Sequence, residues 1–301
     1  MQHKNTTEYF VIGATGLVGR SLTRHLSQKN KYWKGTYHHR PEKNLIKLDI
    51  LQDDVYTALS DFKPSIVFHC ANLSGGVNSC EKNPEVAKKF HLDATKNIGR
   101  YCKDRGATFV YLSTDYVFDG SQGEPYQEED IPRTLNGYGR LKLQSERYIQ
   151  ENLKNFLIIR TTNVYGWDPY TLTPNYVMNV YRTLKEGKIL HAPSYLFGTP
   201  TYVEDLVCAS LELYQKKHTG IFHVVGDSFV NRFQWALESA RILGLERSLI
   251  QELKQPLKND VVRPLKSWLS NQKFKKQCRT ELREYTKGLQ AMKHVMEKDL
   301  L

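Results

Sequence analysis

Several features that would assign this chain to a particular class of protein are missing from its 301 residues. The sequence has no apolar run of membrane-span length, no internal repeat, no low-complexity tract and no apolar leader before its first strand-like segment. Its five cysteines are widely spaced and odd in number, and none forms a CxxC pair, which indicates reduced structural thiols. We therefore expect a soluble, cytoplasmic protein with no membrane association and no bound metal.

Acidic residues are in the minority, with 32 Asp and Glu against 43 Lys and Arg, so the formal net charge is +11. The basic residues are scattered, and the densest cluster (Lys273, Lys275, Lys276 and Arg279) has no recognised DNA- or RNA-binding module beside it. The sequence therefore predicts no nucleic-acid partner. A positive potential would still help to gather a diphosphate substrate and a phosphorylated cofactor.

A glycine-rich segment stands between an apolar run at 9–12 and apolar residues at helical spacing, Leu22 and Leu26. It therefore falls on a strand-to-helix turn, where Gly13 and Gly16 would allow close approach of a pyrophosphate and Gly19 would let the helix pack on the strand. The pattern predicts a dinucleotide site. The cofactor contacts expected from this turn are Gly13, Thr15, Gly16, Leu17, Val18 and Gly19.

The second strand, predicted near 34–37, ends in His38-His39-Arg40, where an NAD-selective site would usually place an acid on the ribose hydroxyls. Arg40, helped by His38 or His39, could instead pair with a 2′-phosphate, so we favour NADPH and keep NADH as the alternative. Asp49, followed by Ile50, would accept from the adenine amino group or cap a turn.

Further along the chain, the backbone after the strand predicted at 65–68, at Cys70 and Ala71, would line the cofactor.

Tyr138 and Lys142 are four residues apart, so on a helix that Asn136 would cap they share one face. A nearby ammonium stabilises a phenolate and lowers the pKa of a tyrosine from its ordinary value near 10. The lysine could also hold the nicotinamide ribose. Thr114, delivered by a short apolar run, would hydrogen-bond a substrate carbonyl beside Tyr138. Together these residues indicate a nicotinamide-dependent oxidoreductase.

Strand-like runs alternate with helical patterns through the first half of the chain, including a helix at 86–102, which predicts parallel strands joined by crossovers. The fold class expected is α/β, a Rossmann-type doubly wound parallel sheet with a smaller C-terminal substrate lobe. We assign 1–166 and 201–225 to the NADP(H)-binding domain, and 167–200 and 226–301 to the substrate lobe.

With these motifs the chain resembles the extended short-chain dehydrogenase/reductases, and among them the dTDP-4-dehydrorhamnose reductase family. The resemblance is carried by 113–120, 125–132 and 136–143, and later by 160–166, 200–206 and 263–269. It implies that Thr114, Tyr138 and Lys142 are catalytic, that hydride goes to the C4 keto group of a nucleotide-linked 6-deoxy sugar, and that Tyr138 protonates the alkoxide.

Other site residues follow from the same resemblance. The substrate contacts expected are Asp115, Tyr116, Asn163, Tyr165 and Arg263. Asp115 would serve equally well as a turn cap, and Arg160 could contact substrate or tie a core strand to a helix. A homodimer is an expectation of the family alone.

The same pattern is similar to the regulatory beta subunit of methionine adenosyltransferase, which is a non-catalytic, cofactor-binding partner. A nucleotide-sugar epimerase is a further alternative. The chain departs from the reductase pattern at Asn78, where an aspartate is usual, and at His91, where many relatives have an asparagine. Tyr195 and Leu196 replace an Asp-Gln pair, which would change the substrate side from hydrogen bonding to packing and stacking.

Overall fold

A central parallel sheet is the main element of the fold, and it confirms the predicted Rossmann-type architecture. The computed structural model of the chain describes residues 8–60, 62–170, 174–257 and 260–300. In chain order the strands are β1 (Tyr9–Ile12), β2 (Trp33–Tyr37), β3 (Leu45–Lys47), β4 (Ile66–His69), β5 (Thr108–Thr114), β6 (Phe156–Thr161), β7 (Val164–Tyr165), β8 (Leu190–Pro193), β9 (Phe197–Gly198), β10 (Thr201–Tyr202), β11 (Gly220–His223), β12 (Val230–Asn231), β13 (Ile250–Leu253) and β14 (Lys266–Ser267).

Helices follow most of these strands, as the predicted crossovers require. They are α1 (Leu17–Gln28), α2 (Val55–Ser60), α3 (Gly76–Lys82), α4 (Pro84–Lys88), α5 (Ala94–Arg105), α6 (Gly137–Asn152), α7 (Tyr176–Lys185), α8 (Val203–Gln215), α9 (Arg232–Leu243), α10 (Gln272–Gln277) and α11 (Tyr285–Asp299). A π-helical turn at Lys89–Asp93 joins α4 to α5, and short 3₁₀ turns lie at Asp115–Val117 and Arg247–Leu249.

The sheet has seven strands in the order β11-β6-β5-β4-β1-β2-β3. The chain therefore starts near the middle, runs outward through β2 and β3, and then returns to the other side of β1 with β4. The pairs β1–β2, β2–β3, β1–β4 and β4–β5 are parallel. The reversal between β1 and β4 is a topological switch point, where open α/β sheets bind ligands at the carboxyl ends of their strands.

Two compact units divide the chain. The first comprises Met1–Ser113, Gly137–Ile159 and Leu213–Ile221, and the second comprises Thr114–Asn136, Arg160–Glu212 and Phe222–Leu301. The first unit contains β1 to β4 and the beginnings of β5, β6 and β11. Which unit binds cofactor and which binds substrate stays a prediction, as do the domain bounds assigned from the sequence.

The core of the first unit lies on the sheet. Phe10, Val67 and Phe109 on its strands are fully buried, and Ile98 of α5 and Ile149 of α6 pack against the same cluster. Burying one such side chain contributes about 1.5–3 kcal/mol. Because the helices bury their apolar faces here, α5 and α6 are fixed against the strands that precede the site residues.

The second unit has its own core and small sheets. β7 pairs with β10, β8 with β13, and β9 lies between β12 and β14. Val180 and Leu184 of α7 pack with Ala236 and Ala240 of α9, where two alanines let the helices approach closely.

Several predicted elements are confirmed with shifted ends. β1 has the predicted bounds, β2 begins one residue before the predicted 34–37, and β4 lies one residue after the predicted 65–68. The helix predicted at 86–102 is interrupted, because α4 gives way to the π-helical turn before α5 begins. Within that turn the carbonyl of His91 accepts from the hydroxyls of Thr95 and Ser145.

Asn136 directly precedes α6, and its side-chain amide donates to the carbonyl of Val262 at 3.0 Å. Its role as a cap stays a prediction. Among the described residues, no helix combines the length and the apolar character that crossing a membrane would require.

Candidate cofactor and active site

The glycine turn lies at the switch point and fills it closely. Gly13 adopts a positive φ of +82°, and a Cβ there would lie 2.7 Å from the backbone nitrogen of Ala71, just after β4. A Cβ on Gly19 would lie 2.2 Å from the carbonyl oxygen of Gly13. Both distances are far inside contact range, so these two glycines are required by packing within the turn.

Gly16 differs from its two neighbours, because nothing in the first unit crowds it. Its φ is −83°, and the nearest atom to a Cβ would be the Gly13 carbonyl oxygen at 3.6 Å, an ordinary contact. Gly16 is the N-cap of α1 and makes no side-chain capping bond. The first N–H groups of a helix lack intrahelical acceptors and bind anions well. The residues present therefore fit a dinucleotide pyrophosphate over Gly16.

The backbone of Gly13 is held from β2. Its N–H donates to the hydroxyl of Thr36 at 3.0 Å, and Ala14 donates to the carbonyl of Thr36 at 2.9 Å. The N–H groups of Gly13 and Ala14 are therefore already bonded within the fold, and an anion would be expected at the start of α1 instead.

The segment after β2 places His38 beside Asp49. The two histidine rings of His38 and His39 have centroids 3.8 Å apart, and the Nε2 of His38 lies 3.5 Å from the Oδ2 of Asp49. Asp49 also accepts from the backbone of Leu51 at 3.0 Å, so the turn-cap interpretation of this residue holds. His38 and Arg40 are exposed, while Ile50 is buried. Their contacts with a cofactor stay predictions.

Lys142 is held inside the first unit. Only 5% of the residue is exposed; its Nζ donates to the carbonyl of Leu112 at 2.5 Å and lies 4.2 Å from the ring centroid of Tyr111. Burial lowers the pKa of Lys142 to about 7, and the charge of Glu146 opposes that shift. Lys142 therefore changes charge near neutral pH, which an exposed lysine would not do.

Glu146 is one helical turn beyond Lys142 on α6 and is fully buried. It accepts a hydrogen bond from the hydroxyl of Ser113. The carboxylate thus serves as a buried anion for Lys142 and anchors α6 to β5.

Tyr138 is half-buried, and its ring meets that of His91 edge-to-face with centroids 5.2 Å apart. His91 is only 2% exposed, and burial together with the charge of Lys142 lowers its pKa to about 2. The sequence allowed His91 either a hydrogen-bonding role or a solvent-facing one. Because His91 is buried, the solvent-facing role is excluded. Its neutral ring contacts the ring of Tyr138.

Cys70 and Ala71 are partly buried at the carboxyl end of β4. Burial raises the pKa of the Cys70 thiol to about 12, so it stays protonated at neutral pH.

In the second unit, Thr114 caps the short turn that follows it. Its hydroxyl accepts from the backbone of Tyr116 at 3.2 Å and donates to the carboxylate of Asp115 at 3.0 Å. Asp115 is buried, and burial raises the pKa of its carboxyl group, while hydrogen bonds from Ser267 and Thr162 oppose the rise. The cap is therefore the threonine, and Asp115 is its buried partner.

Asn163 and Arg232 form a polar pair in the same unit. Asn163 has a φ of +49°, and its Oδ1 accepts from Arg232 at 2.8 Å. A Cβ on Gly198 would lie 2.3 Å from the Asn163 amide, so glycine is needed there. Burial raises the pKa of Tyr116, and the guanidinium groups of Arg232 and Arg263 oppose that rise. Arg232 was missed from the sequence because it opens a helix with no motif around it.

Two further residues prove to be structural. Tyr165 is fully buried, its hydroxyl donates to the carbonyl of Tyr285 at 3.1 Å, and a Cβ on Gly288 would lie 2.0 Å from that hydroxyl. The predicted substrate contact of Tyr165 is thus replaced by a core contact, because its hydroxyl is already bonded. Arg160, left open from the sequence, is buried with its guanidinium on the Glu128 carbonyl at 3.3 Å.

A cavity of about 410 Å³ lies within the second unit. Its lining includes Tyr195 and Leu196, the two substitutions noted in the sequence, together with Val262, Leu265 and Arg263. The wall is mainly apolar, and its charged side chains are Arg263 and the two acids Asp119 and Asp260, so it favours a ligand with a flat or aliphatic part.

The sheet order, the glycine turn at its switch point and the Tyr138–Lys142 pair define the class of extended short-chain dehydrogenase/reductases. Within that class the chain belongs to the family described as RmlD substrate binding domain, whose model matches residues 7–297.

Individual relatives include a subunit of a methionine adenosyltransferase and a probable reductase. Methionine adenosyltransferase 2 subunit beta of Bos taurus is 28% identical over 250 residues, which are 81% of this chain and 74% of that protein. The probable low-salt glycan biosynthesis reductase Agl14 of Haloferax volcanii is 31% identical over 269 residues, 86% of this chain and 88% of that protein. The crystal structure of a dTDP-4-dehydrorhamnose reductase from Clostridium acetobutylicum is 26% identical, with a TM-score of 0.86 over 97% of this chain and 100% of that one.

Alanine substitutions at Gly16 and Gly19 are expected to differ in their effects on stability and on cofactor binding. Gly19→Ala should lower the free energy of unfolding by about 2 kcal/mol, because its Cβ overlaps the Gly13 carbonyl. Gly16→Ala should cost less than about 1 kcal/mol, since a Cβ fits there, yet weaken dinucleotide binding about tenfold or more by occupying the anion site. Urea denaturation and fluorescence titration with NADPH measure the two effects. Wild-type affinity in Gly16→Ala would contradict the pyrophosphate assignment.

Lys142 generates a pH dependence of stability. Its pKa falls from 10.5 to about 7 on folding, so between these values the unfolded chain binds more protons. The cost of burying the ammonium is fully present below pH 7 and is relieved as the pH rises. The unfolding free energy of wild type should therefore rise relative to that of Lys142→Met, by up to about 1.4 kcal/mol per pH unit. Urea denaturation of both proteins at pH 7, 8 and 9 tests this; a constant difference would contradict it.

Proposed function

We propose that the protein is an NADPH-dependent reductase that converts a nucleotide-linked 4-keto-6-deoxy sugar to its 4-hydroxy form. The observation that carries this proposal is the buried ammonium of Lys142, held on the Leu112 carbonyl one helical turn from the half-buried Tyr138. Burying a lysine ammonium destabilises the fold unless other groups compensate its charge, so a buried lysine is a candidate for a functional role. A cation beside a tyrosine that keeps access to solvent is the arrangement that proton transfer from a phenol requires.

The reaction is a carbonyl reduction. A bound nicotinamide dinucleotide would supply the hydride to the C4 carbon, and the carbonyl π electrons would become an alkoxide lone pair. Tyr138 gives its hydroxyl proton to that alkoxide oxygen and is left as a phenolate, which the Lys142 ammonium stabilises. Thr114 donates to the same oxygen, so its hydroxyl turns from the carboxylate of Asp115 towards the substrate.

Substrate binding is proposed for the second unit. Arg232 and Arg263, which both act on Tyr116, would hold the diphosphate, and Asn163 would orient Arg232. The apolar wall of the 410 Å³ cavity, with Tyr195 and Leu196, would take the base or another flat part of the ligand.

A second candidate is a non-catalytic regulatory subunit. The similarity to methionine adenosyltransferase 2 subunit beta favours it, as does the loss of a polar pair at Tyr195 and Leu196. An epimerase would use the same proton-transfer residues without net consumption of cofactor.

The discriminating substitution is Tyr138→Phe. With dTDP-, UDP- and GDP-linked 4-keto-6-deoxy sugars, wild type should oxidise NADPH at 340 nm, and Tyr138→Phe should lose about 10²-fold or more of that rate, because the proton donor is gone. Cofactor affinity should be kept. Tyr148→Phe, the same change on the same helix with its hydroxyl on the Lys96 carbonyl, is the matched control and should stay active.

Other outcomes of this experiment separate the alternatives. Tight NADPH binding without turnover across the panel would contradict the reductase and favour the regulatory subunit. Inversion at C4 of the corresponding 4-hydroxy sugars without net consumption of cofactor, detected by chromatography, would identify an epimerase.

Cofactor preference gives a separate expectation. Arg40 is exposed after β2 and would pair with the 2′-phosphate, so NADPH should bind about tenfold or more tightly than NADH. Arg40→Ser should remove most of that difference by weakening NADPH alone, which fluorescence titration with both nucleotides measures. Equal loss of affinity for NADPH and NADH would contradict a phosphate contact.

A further inference from the structure

An ion pair joins the glycine turn to the segment after β2. The guanidinium of Arg20 meets the carboxylate of Glu42 in a bidentate arrangement, with Nη1–Oε2 at 3.1 Å and Nη2–Oε1 at 2.9 Å. The Nη2 of Arg20 also donates to the carbonyl of Thr15 at 3.2 Å, within the turn itself. Glu42 is therefore brought, through one arginine, to the edge of the predicted cofactor site.

The position of Glu42 bears on cofactor selectivity, because an acid near this point of a dinucleotide-binding fold contacts the cofactor ribose. A carboxylate near the end of the second strand accepts from the ribose hydroxyls and favours NAD, and its charge repels a 2′-phosphate. The segment directly after β2, 38–40, contains no acid, but Glu42 lies two residues beyond Arg40. In the structure both of its oxygens are engaged by Arg20 and its charge is neutralised.

Stability alone does not account for this pair. The side chains of Arg20 and Glu42 are 25% and 31% exposed. Ion pairs at such positions contribute about 0–1 kcal/mol to folding. Arg20 nevertheless makes two bonds to Glu42 and a third to the Thr15 carbonyl, next to the start of α1. This fixed geometry beside the predicted cofactor site indicates a role other than stability.

We propose that Arg20 is a specificity-determining residue, which withholds the Glu42 carboxylate from the cofactor ribose and so keeps the site selective for a 2′-phosphorylated dinucleotide. This rests on the NADP(H) preference proposed above. Arg20 acts through Glu42, not by contact with the phosphate. The consequence is that the two residues are coupled: losing Arg20 matters only while Glu42 is an acid.

A double-mutant cycle on the full chain measures this coupling. Dissociation constants for NADPH and NADH are determined by fluorescence titration for wild type, Arg20→Met, Glu42→Gln and the double variant. Arg20→Met should weaken NADPH about tenfold and leave NADH unchanged or tighter, because the released carboxylate faces the cofactor. Glu42→Gln should keep both affinities within about twofold, and the double variant should regain most of the wild-type preference.

The controls address charge and folding. Arg147→Met removes one positive charge from an exposed position on α6 and should leave the NADPH to NADH ratio unchanged. Thermal melting of each variant, and its NADH affinity, report whether the fold is intact. Because no turnover is measured, these affinities do not depend on finding the substrate.

Three results would overturn the inference. An unchanged NADPH to NADH ratio in Arg20→Met would show that the pair has no part in selectivity. A double variant as weak for NADPH as Arg20→Met would show that Arg20 itself holds the phosphate. Failure of wild type to bind either nucleotide would overturn this inference and the proposed reductase together, whereas binding without sugar turnover would contradict the reductase alone.

Discussion

The close approach of two chain segments at the switch point is the constraint on which the site depends. Gly13 lies against the backbone of Ala71, and Gly19 lies against Gly13, at distances that exclude any side chain. This contact brings the start of α1 to the carboxyl end of β4, and the hydrogen bonds that Gly13 and Ala14 donate to Thr36 bring β2 to the same place. The elements that would hold a dinucleotide are thus fixed by packing before any ligand binds, which is what preorganised binding requires.

A second constraint is electrostatic. The first unit buries Lys142, Glu146, His69 and His91 close to one another, and burial keeps both imidazoles neutral, with the pKa of His69 at about 3. Of these four residues, only Lys142 can therefore carry a positive charge at neutral pH. Such a cluster destabilises the fold relative to an apolar core, so its retention is itself an argument for a role in proton transfer.

Local chemistry was readable from the sequence, whereas pairing was not. The sequence predicts the glycine turn and the placement of Tyr138 and Lys142 one turn apart on a helix, because each depends only on residues close by in the chain. The π-helical turn before α5, by contrast, involves a hydroxyl from α6, Ser145, far along the chain. Glu42 was missed for the same reason, because its partner Arg20 lies 22 residues earlier.

Tyr165 shows a different limit of the sequence. A tyrosine that contacts substrate and one whose hydroxyl bonds a core carbonyl have the same local pattern, and only the packing of Gly288 against that hydroxyl separates them. Arg160 is a similar case, because a structural arginine and a substrate-binding arginine on a strand have the same local sequence pattern. Its bond to the Glu128 carbonyl is visible only in the structure.

Two departures from the reductase pattern, Asn78 and His91, lie in the first unit and two, Tyr195 and Leu196, lie in the second, and their surroundings bear on function. In the first unit Tyr138 and Lys142, the residues proposed for proton transfer, are both present, and His91 packs against Tyr138 and is not exposed to solvent. In the second unit the substitutions Tyr195 and Leu196 line an apolar cavity. A chain released from catalysis would gain stability by replacing the buried Lys142 with an apolar residue, whereas a chain adapting to a new substrate would change its cavity and keep its chemistry. The pattern observed is the second, which is why we weigh an altered substrate above the loss of activity.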